Sequence, residues 1–84
     1  MSWEVDCAVK VENMDQWALV NEVAERAVGR MSDSAGTGFG FRDMQWVFDT
    51  HAEAEAARKR LQACGLTFEY LQVSEEIPMP EETA

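Results

Sequence analysis

Trp3, Val5, Cys7, Val9 and Val11 alternate with Ser2, Glu4, Asp6, Ala8, Lys10 and Glu12. A period of two puts the first set on one side of an extended chain and the second on the other, which predicts a strand buried on one face and solvated on the opposite one. At Asn13 the period changes. Trp17, Val20, Val23, Ala24, Ala27, Val28 and Met31 share one side at a helical period, and Glu22, Glu25 and Arg26 share the other, so a helix is expected from about Met14 to Val28 or beyond. Asn13 stands three residues before Gln16, the spacing of a cap that satisfies free N–H groups of a first helical turn. Gly29 suits the end of this helix, and Ser32-Asp33-Ser34-Ala35-Gly36 reads as a flexible connection.

The stretch from Gly36 to Asp49 supplies two extended segments around a polar break at Arg42-Asp43. Phe39 and Phe41 would share a face before the break, and Met44, Trp46 and Phe48 a face after it, so a β-hairpin with five large side chains on one buried surface is expected. Thr50-His51-Ala52-Glu53 then matches a capping box and starts a second helix. Its stripe of Ala54, Ala57, Leu61 and Cys64 is narrow and mostly small, so the helix can approach a sheet closely, and Gly65 can end it in the left-handed conformation. In the last strand Leu66, Phe68 and Tyr70 alternate with Thr67 and Glu69, whereas Leu71 and Val73 fall out of phase. Either a bulge re-aims the strand end or these two form an apolar spot on the outer face. From Ser74 onward two prolines and four acids leave little to bury, so residues 74–84 are expected to be a mobile tail on a single domain of residues 1–73.

Strand, helix, hairpin, helix, strand: this order resembles the ferredoxin-like fold over residues 2–73. The resemblance implies an α+β sandwich, a four-stranded antiparallel sheet ordered 4-1-3-2 with both helices on one face. It would leave an open face carrying Glu4, Asp6, Ala8, Lys10, Gln45, Val47, Thr67 and Glu69. Many unrelated functions share that fold, so function has to come from the sites.

Sixteen Asp and Glu against seven Lys and Arg give a net charge of −9. Phosphate binding depends on Lys and Arg, so bare nucleic acid and anionic membranes are poor partners and basic proteins are suitable ones. No apolar run is long enough to span a bilayer and the start, Met-Ser-Trp-Glu-Val-Asp, does not read as a signal peptide, so a cytoplasmic protein is expected. Cys7 and Cys64 fall at inward positions without ligand-spaced neighbours and are read as reduced thiols rather than a metal site. No cofactor is implied.

Families sharing the fold make further expectations testable. The aromatic residues on which RNA-recognition domains stack bases are replaced here by Glu4, Asp6, Gln45 and Val47. Glu12-Asn13-Met14-Asp15 occupies the loop where metallochaperones carry Cys-x-x-Cys and acylphosphatases a phosphate-cradling Arg. Gly36-x-Gly38-x-Gly40 lacks the strand-before, helix-after setting of a dinucleotide fingerprint and reads instead as a bare edge strand. His51 is the one histidine and stands at a helix start without a nucleophile to serve, so no enzyme is expected.

The leading expectation is therefore an acidic interaction module that occupies a basic, nucleic-acid-binding surface of a larger protein as an inhibitor or regulator. Glu4, Asp6 and Glu69 on the open face and Glu53 and Glu55 on the second helix would meet the partner. Phage-encoded anti-CRISPR proteins are similar to this chain in size and charge. The alternatives are a small-molecule-sensing domain resembling the ACT type, dimeric and sensitive to changes at Asn13 or Gly38, and a dimeric barrel enzyme of the monooxygenase type. A monomer is favoured over a weak homodimer, since the net charge opposes self-association.

Overall fold

In the computed structural model, which describes residues 2–76, the opening alternation becomes β1 (Ser2–Lys10). It is followed by α1 (Met14–Val28), β2 (Ser34–Gly38), β3 (Phe41–Phe48), α2 (His51–Gln62) and β4 (Phe68–Glu76). The strands form one antiparallel sheet in the order β2-β3-β1-β4, the ferredoxin-like arrangement the pattern implied. Placing β1 in the centre fits its sequence, because Val5, Cys7 and Val9 are buried beneath the helices and Ala8 is buried on the other face.

Both helices start at their expected caps and α1 ends at its glycine, whereas α2 ends at Gln62 with Ala63 as a right-handed cap, two residues before Gly65. Asn13 Oδ1 accepts from Gln16 N at 2.9 Å and Gln16 Oε1 accepts from Glu12 N at 2.7 Å, so the first turn of α1 is held from two sides. Gly29 closes the helix in the left-handed region at φ 92°, its N–H donating to Glu25 O. Met31 therefore lies beyond the helix and is exposed, not part of the buried stripe. Thr50 caps α2, accepting from Glu53 N and donating to Glu53 Oε1. Ala54, Ala57 and Leu61 bury the narrow stripe of α2 against β1 and β4, and α1 packs beside it.

The core gathers Val5, Cys7, Met44 and Trp46 of the central strands with Val20, Ala24 and Val28 of α1 and Leu61 of α2. Trp46 is fully buried, and its indole Nε1 donates to Arg30 O at 3.2 Å.

Four local expectations are corrected. Residues 32–36 are not a flexible link, because Ser34 already begins β2 and the preceding residues are tied down. Glu25 Oε2 accepts from Ser32 N, Asp33 Oδ2 accepts from Val47 N at 2.6 Å, and Arg30 donates to Val47 O while its guanidinium lies 4.7 Å from the Phe48 ring. These contacts satisfy the β3 edge where β2 has ended.

The hairpin turns at Phe39-Gly40, not at Arg42-Asp43. Both turn residues have positive φ, 54° and 80°, as a two-residue hairpin loop on twisted strands requires. Phe39 is consequently fully exposed, Phe41 faces the open side of the sheet, and Arg42 faces the core.

The register of β4 slips between Ala8 and Val9, where Glu69 is the extra residue between Tyr70 and Phe68. That bulge answers the phase problem of the last strand. Leu71 and Val73 pair with Cys7 and Val5 and pack on the core, whereas Tyr70, opposite Ala8, turns outward. Finally, β4 continues through Glu76, so residues 74–76 belong to the sheet, and the rest of the expected tail lies outside the described residues.

Candidate functional site

The open face of the sheet is built from three short rows of outward residues, one on each of β3, β1 and β4. Phe41, Asp43, Gln45 and Val47 lie beside Lys10, Ala8, Asp6 and Glu4, which lie beside Tyr70, Gln72 and Ser74. On the outer edge, β2 contributes Gly36 and Gly38 opposite Asp43 and Phe41, and a Cβ at either glycine would meet nothing within 4 Å. The flank of Asp43 and Phe41 is therefore uncovered.

Two polar bridges cross this face. Tyr70 on β4 donates from its hydroxyl to Asp43 Oδ1 on β3 at 3.3 Å, passing over Ala8, which pairs with both and is 1% exposed. Only a small side chain on β1 leaves room for that arch. Partial burial and the Asp43 carboxylate raise the pKa of the Tyr70 hydroxyl, so it remains a donor. Lower on the face, Glu4 accepts from Gln45 Nε2 on one side and from Ser74 Oγ at 3.4 Å on the other.

Asp6 lies between the two bridges. Burial, then the charge of Glu4 and a hydrogen bond shared with it, push the Asp6 carboxyl from 3.8 up to about 6, against an opposing hydrogen bond from Ser74. The folded protein holds this proton more tightly than the unfolded chain does, so protonated Asp6 favours the fold below pH 3.8 and the contribution is lost as pH rises through about 6. Asp6→Asn should accordingly stabilise the domain above pH 6 by on the order of 1 kcal/mol, after discounting for solvent screening, and flatten its stability between pH 4 and 6. Urea melts at a series of pH values measure this, and an unchanged slope would mean that the fold does not raise the Asp6 carboxyl.

The five acids expected to meet a partner do not form one surface. Glu4, Asp6 and the bulge residue Glu69 share the open side, the last beside a shallow groove of about 270 Å³ with Phe39, Phe41 and Tyr70. Glu53 and Glu55 belong to α2 in the other layer. Glu53 is used in the Thr50 cap, and Glu55 pairs with Arg58 Nε at 3.0 Å and lies 3.7 Å from His51 Nε2. His51 rests on the Trp3 ring, with centroids 4.5 Å apart.

Asp43 and Tyr70 were missed by pattern reading. Uninterrupted alternation from Phe41 to Val47 was the available signal for Asp43, and the bulge concealed Tyr70. Cys7 and Cys64 are both free, and burial above all pushes the Cys7 thiol up to about 12, leaving it un-ionised at neutral pH. Among the described residues no three His, Cys, Asp or Glu side chains are grouped to hold a metal ion, and no helix is long and apolar enough to cross a membrane.

No family model, curated protein or solved structure matches this chain. What the open face does has to be argued from its own chemistry.

Proposed function

We propose that the chain is a non-enzymatic interaction protein whose open sheet face docks on a basic, nucleic-acid-binding surface of a larger protein and thereby inhibits or regulates it. The observation that carries this reading is the Glu4–Asp6 pair, in which burial first and then the neighbouring Glu4 carboxylate raise Asp6 to about 6, with no Lys or Arg side chain bound to either among the described residues. A cationic partner relieves the repulsion between them, so docking gains more than the same contact with an isolated carboxylate. Binding should also strengthen as pH rises through that value.

Aromatic side chains supply the apolar component that a charged surface alone lacks. Phe39 is fully exposed at the hairpin tip and occupies the left-handed region, where Gly or Asn is easier to accommodate. With Phe41 and Tyr70 it lines a groove on the open side whose acids are Asp43 and Glu69. Aromatic groups beside complementary charge are the usual anchors of protein interfaces.

Affinity capture from host lysate at low and high salt tests the reading. The expected result is a nucleic-acid-binding protein that salt releases, that added nucleic acid displaces, and that a Glu4→Gln, Asp6→Asn double variant fails to retain. Recovery of only the protein itself or of a metabolic enzyme, or turnover of a metabolite by the pure domain, would sink it.

A further inference from the structure

A groove of about 430 Å³ lies between the start of α1 and the β2–β3 hairpin, walled by Val11, Met14 and Trp17, with Thr37, Gly40 and Glu12 at its polar margins. It has the size of a small-molecule site and a mostly apolar wall. Thr37 pairs with Arg42 and points with it to the helix side, so this groove is distinct from the acidic open face.

Behind two of its walls sits Arg42, the one buried charged side chain among the described residues, at 9% exposure. Its guanidinium carbon lies 4.6 Å from the Trp17 ring centroid, Nη1 donates to Thr37 Oγ1 at 3.1 Å, and Nη2 donates to Asn21 Oδ1 at 2.7 Å. Among the described residues no carboxylate pairs with it. The nearest link is indirect, through Asn21 Nδ2 to Glu25 Oε1 at 2.8 Å. Arg42 Nε and Trp17 Nε1 are buried without partners.

Among the described residues of this acidic chain, the buried cation thus has no counter-ion. Such a charge is costly, and the cost falls when an anion comes near in a low-dielectric setting. Thr37 offers the route. Its oxygen accepts from Arg42, and among the described residues its own O–H proton has no acceptor, so a cation-polarised donor is available beside the groove. Met14, on the wall, begins α1, and the first-turn N–H groups of a helix add positive potential at that end.

We propose that this groove binds a small aromatic monocarboxylate, its ring against Val11, Met14 and Trp17, and its carboxylate accepting from the Thr37 hydroxyl with Arg42 as the counter-charge. Glu12 at the margin opposes a second negative charge, so a singly charged group is selected over a phosphate.

Nitrogen-edited NMR titration of the full chain with phenylacetate and its neutral isostere phenylacetamide tests this. Phenylacetate should produce saturable shifts of the Trp17 indole and of the Met14, Thr37 and Gly40 amides, and the amide should bind about 10-fold more weakly or worse. Thr37→Val should bring the two probes to within about two-fold of one another, Thr37→Ser should preserve the difference, and Glu12→Gln should tighten phenylacetate alone. If Thr37→Val fails to fold, the Ser and Gln variants still decide. No saturable shift up to about 10 mM, equal binding of the amide, or shifts centred on Asp43 and Tyr70 would overturn the proposal.

Discussion

Trp46→Ala is expected to cost about 4 kcal/mol, a third or more of the stability of the domain. Trp46 is fully buried at the centre of the sheet, paired with Val5, and its removal opens a cavity that the small side chains of the core, Ala24 and Ala54 among them, cannot fill. The loss compares with a total stability of roughly 4–13 kcal/mol for 84 residues. The change also frees Arg30 O from the indole N–H and so loosens the segment that covers the β3 edge. Trp46→Phe separates the contributions, because it keeps a ring in place and deletes the hydrogen bond, at about 1–2 kcal/mol. Denaturant melts followed by far-ultraviolet circular dichroism read both, and a Trp46→Ala midpoint within error of the parent protein would mean that the core is not organised around this residue.

Replacing Glu4, Asp6 and Asp43 together by Lys should slow association with a basic partner by about 10–100-fold at low salt. Each replacement changes the charge by two, moving the net charge from −9 to −3. The comparison that gives the result meaning is the triple change Glu22, Glu53 and Glu55 to Lys, which alters net charge equally but on the helical layer. It should slow association only a few-fold, since local complementarity outweighs the field of the whole molecule once the charges approach within a Debye length of ~10 Å at 0.1 M salt. At ~1 M salt, where that length is ~3 Å, the difference between the two variants should shrink towards zero. Stopped-flow or surface-plasmon kinetics with the captured partner measure it. Equal slowing by both variants would shift the interface away from the open face.

Glu4 and Asp6 could be assigned to that face from alternation alone, because a strand pattern with one apolar side fixes where the other side points. Asp43 and Tyr70 could not. The polar pair Arg42-Asp43 has the composition of a turn, but the backbone turns three residues earlier, where Gly40 accepts a positive φ and Phe39 tolerates one. Moving the turn sends Arg42 inward and Asp43 outward. Alternation counted from Phe68 places Tyr70 inward, and the extra residue Glu69 reverses that parity. Glu53 and Glu55 show the converse limit: a helix period places them on a surface but does not say which layer of the sandwich that surface belongs to, nor that Thr50, Arg58 and His51 engage them.

The order and type of the elements, the caps at Asn13 and Thr50 and the outward carboxylates of β1 were determined by the sequence itself, since each follows from a period or a spacing of a few residues, whereas the central place of β1 was implied by the resemblance to the ferredoxin-like fold. Tertiary structure alone decided the β4 bulge, the arch from Tyr70 to Asp43 over Ala8 and the partnership of Arg42 with Trp17, Thr37 and Asn21. The physical reason is range. Local rules act over about one turn of helix or one pair of strand residues, whereas Asn21 and Arg42 are separated by 21 positions and Asp43 and Tyr70 by 27, and such pairs meet only when strand register and helix placement are settled together.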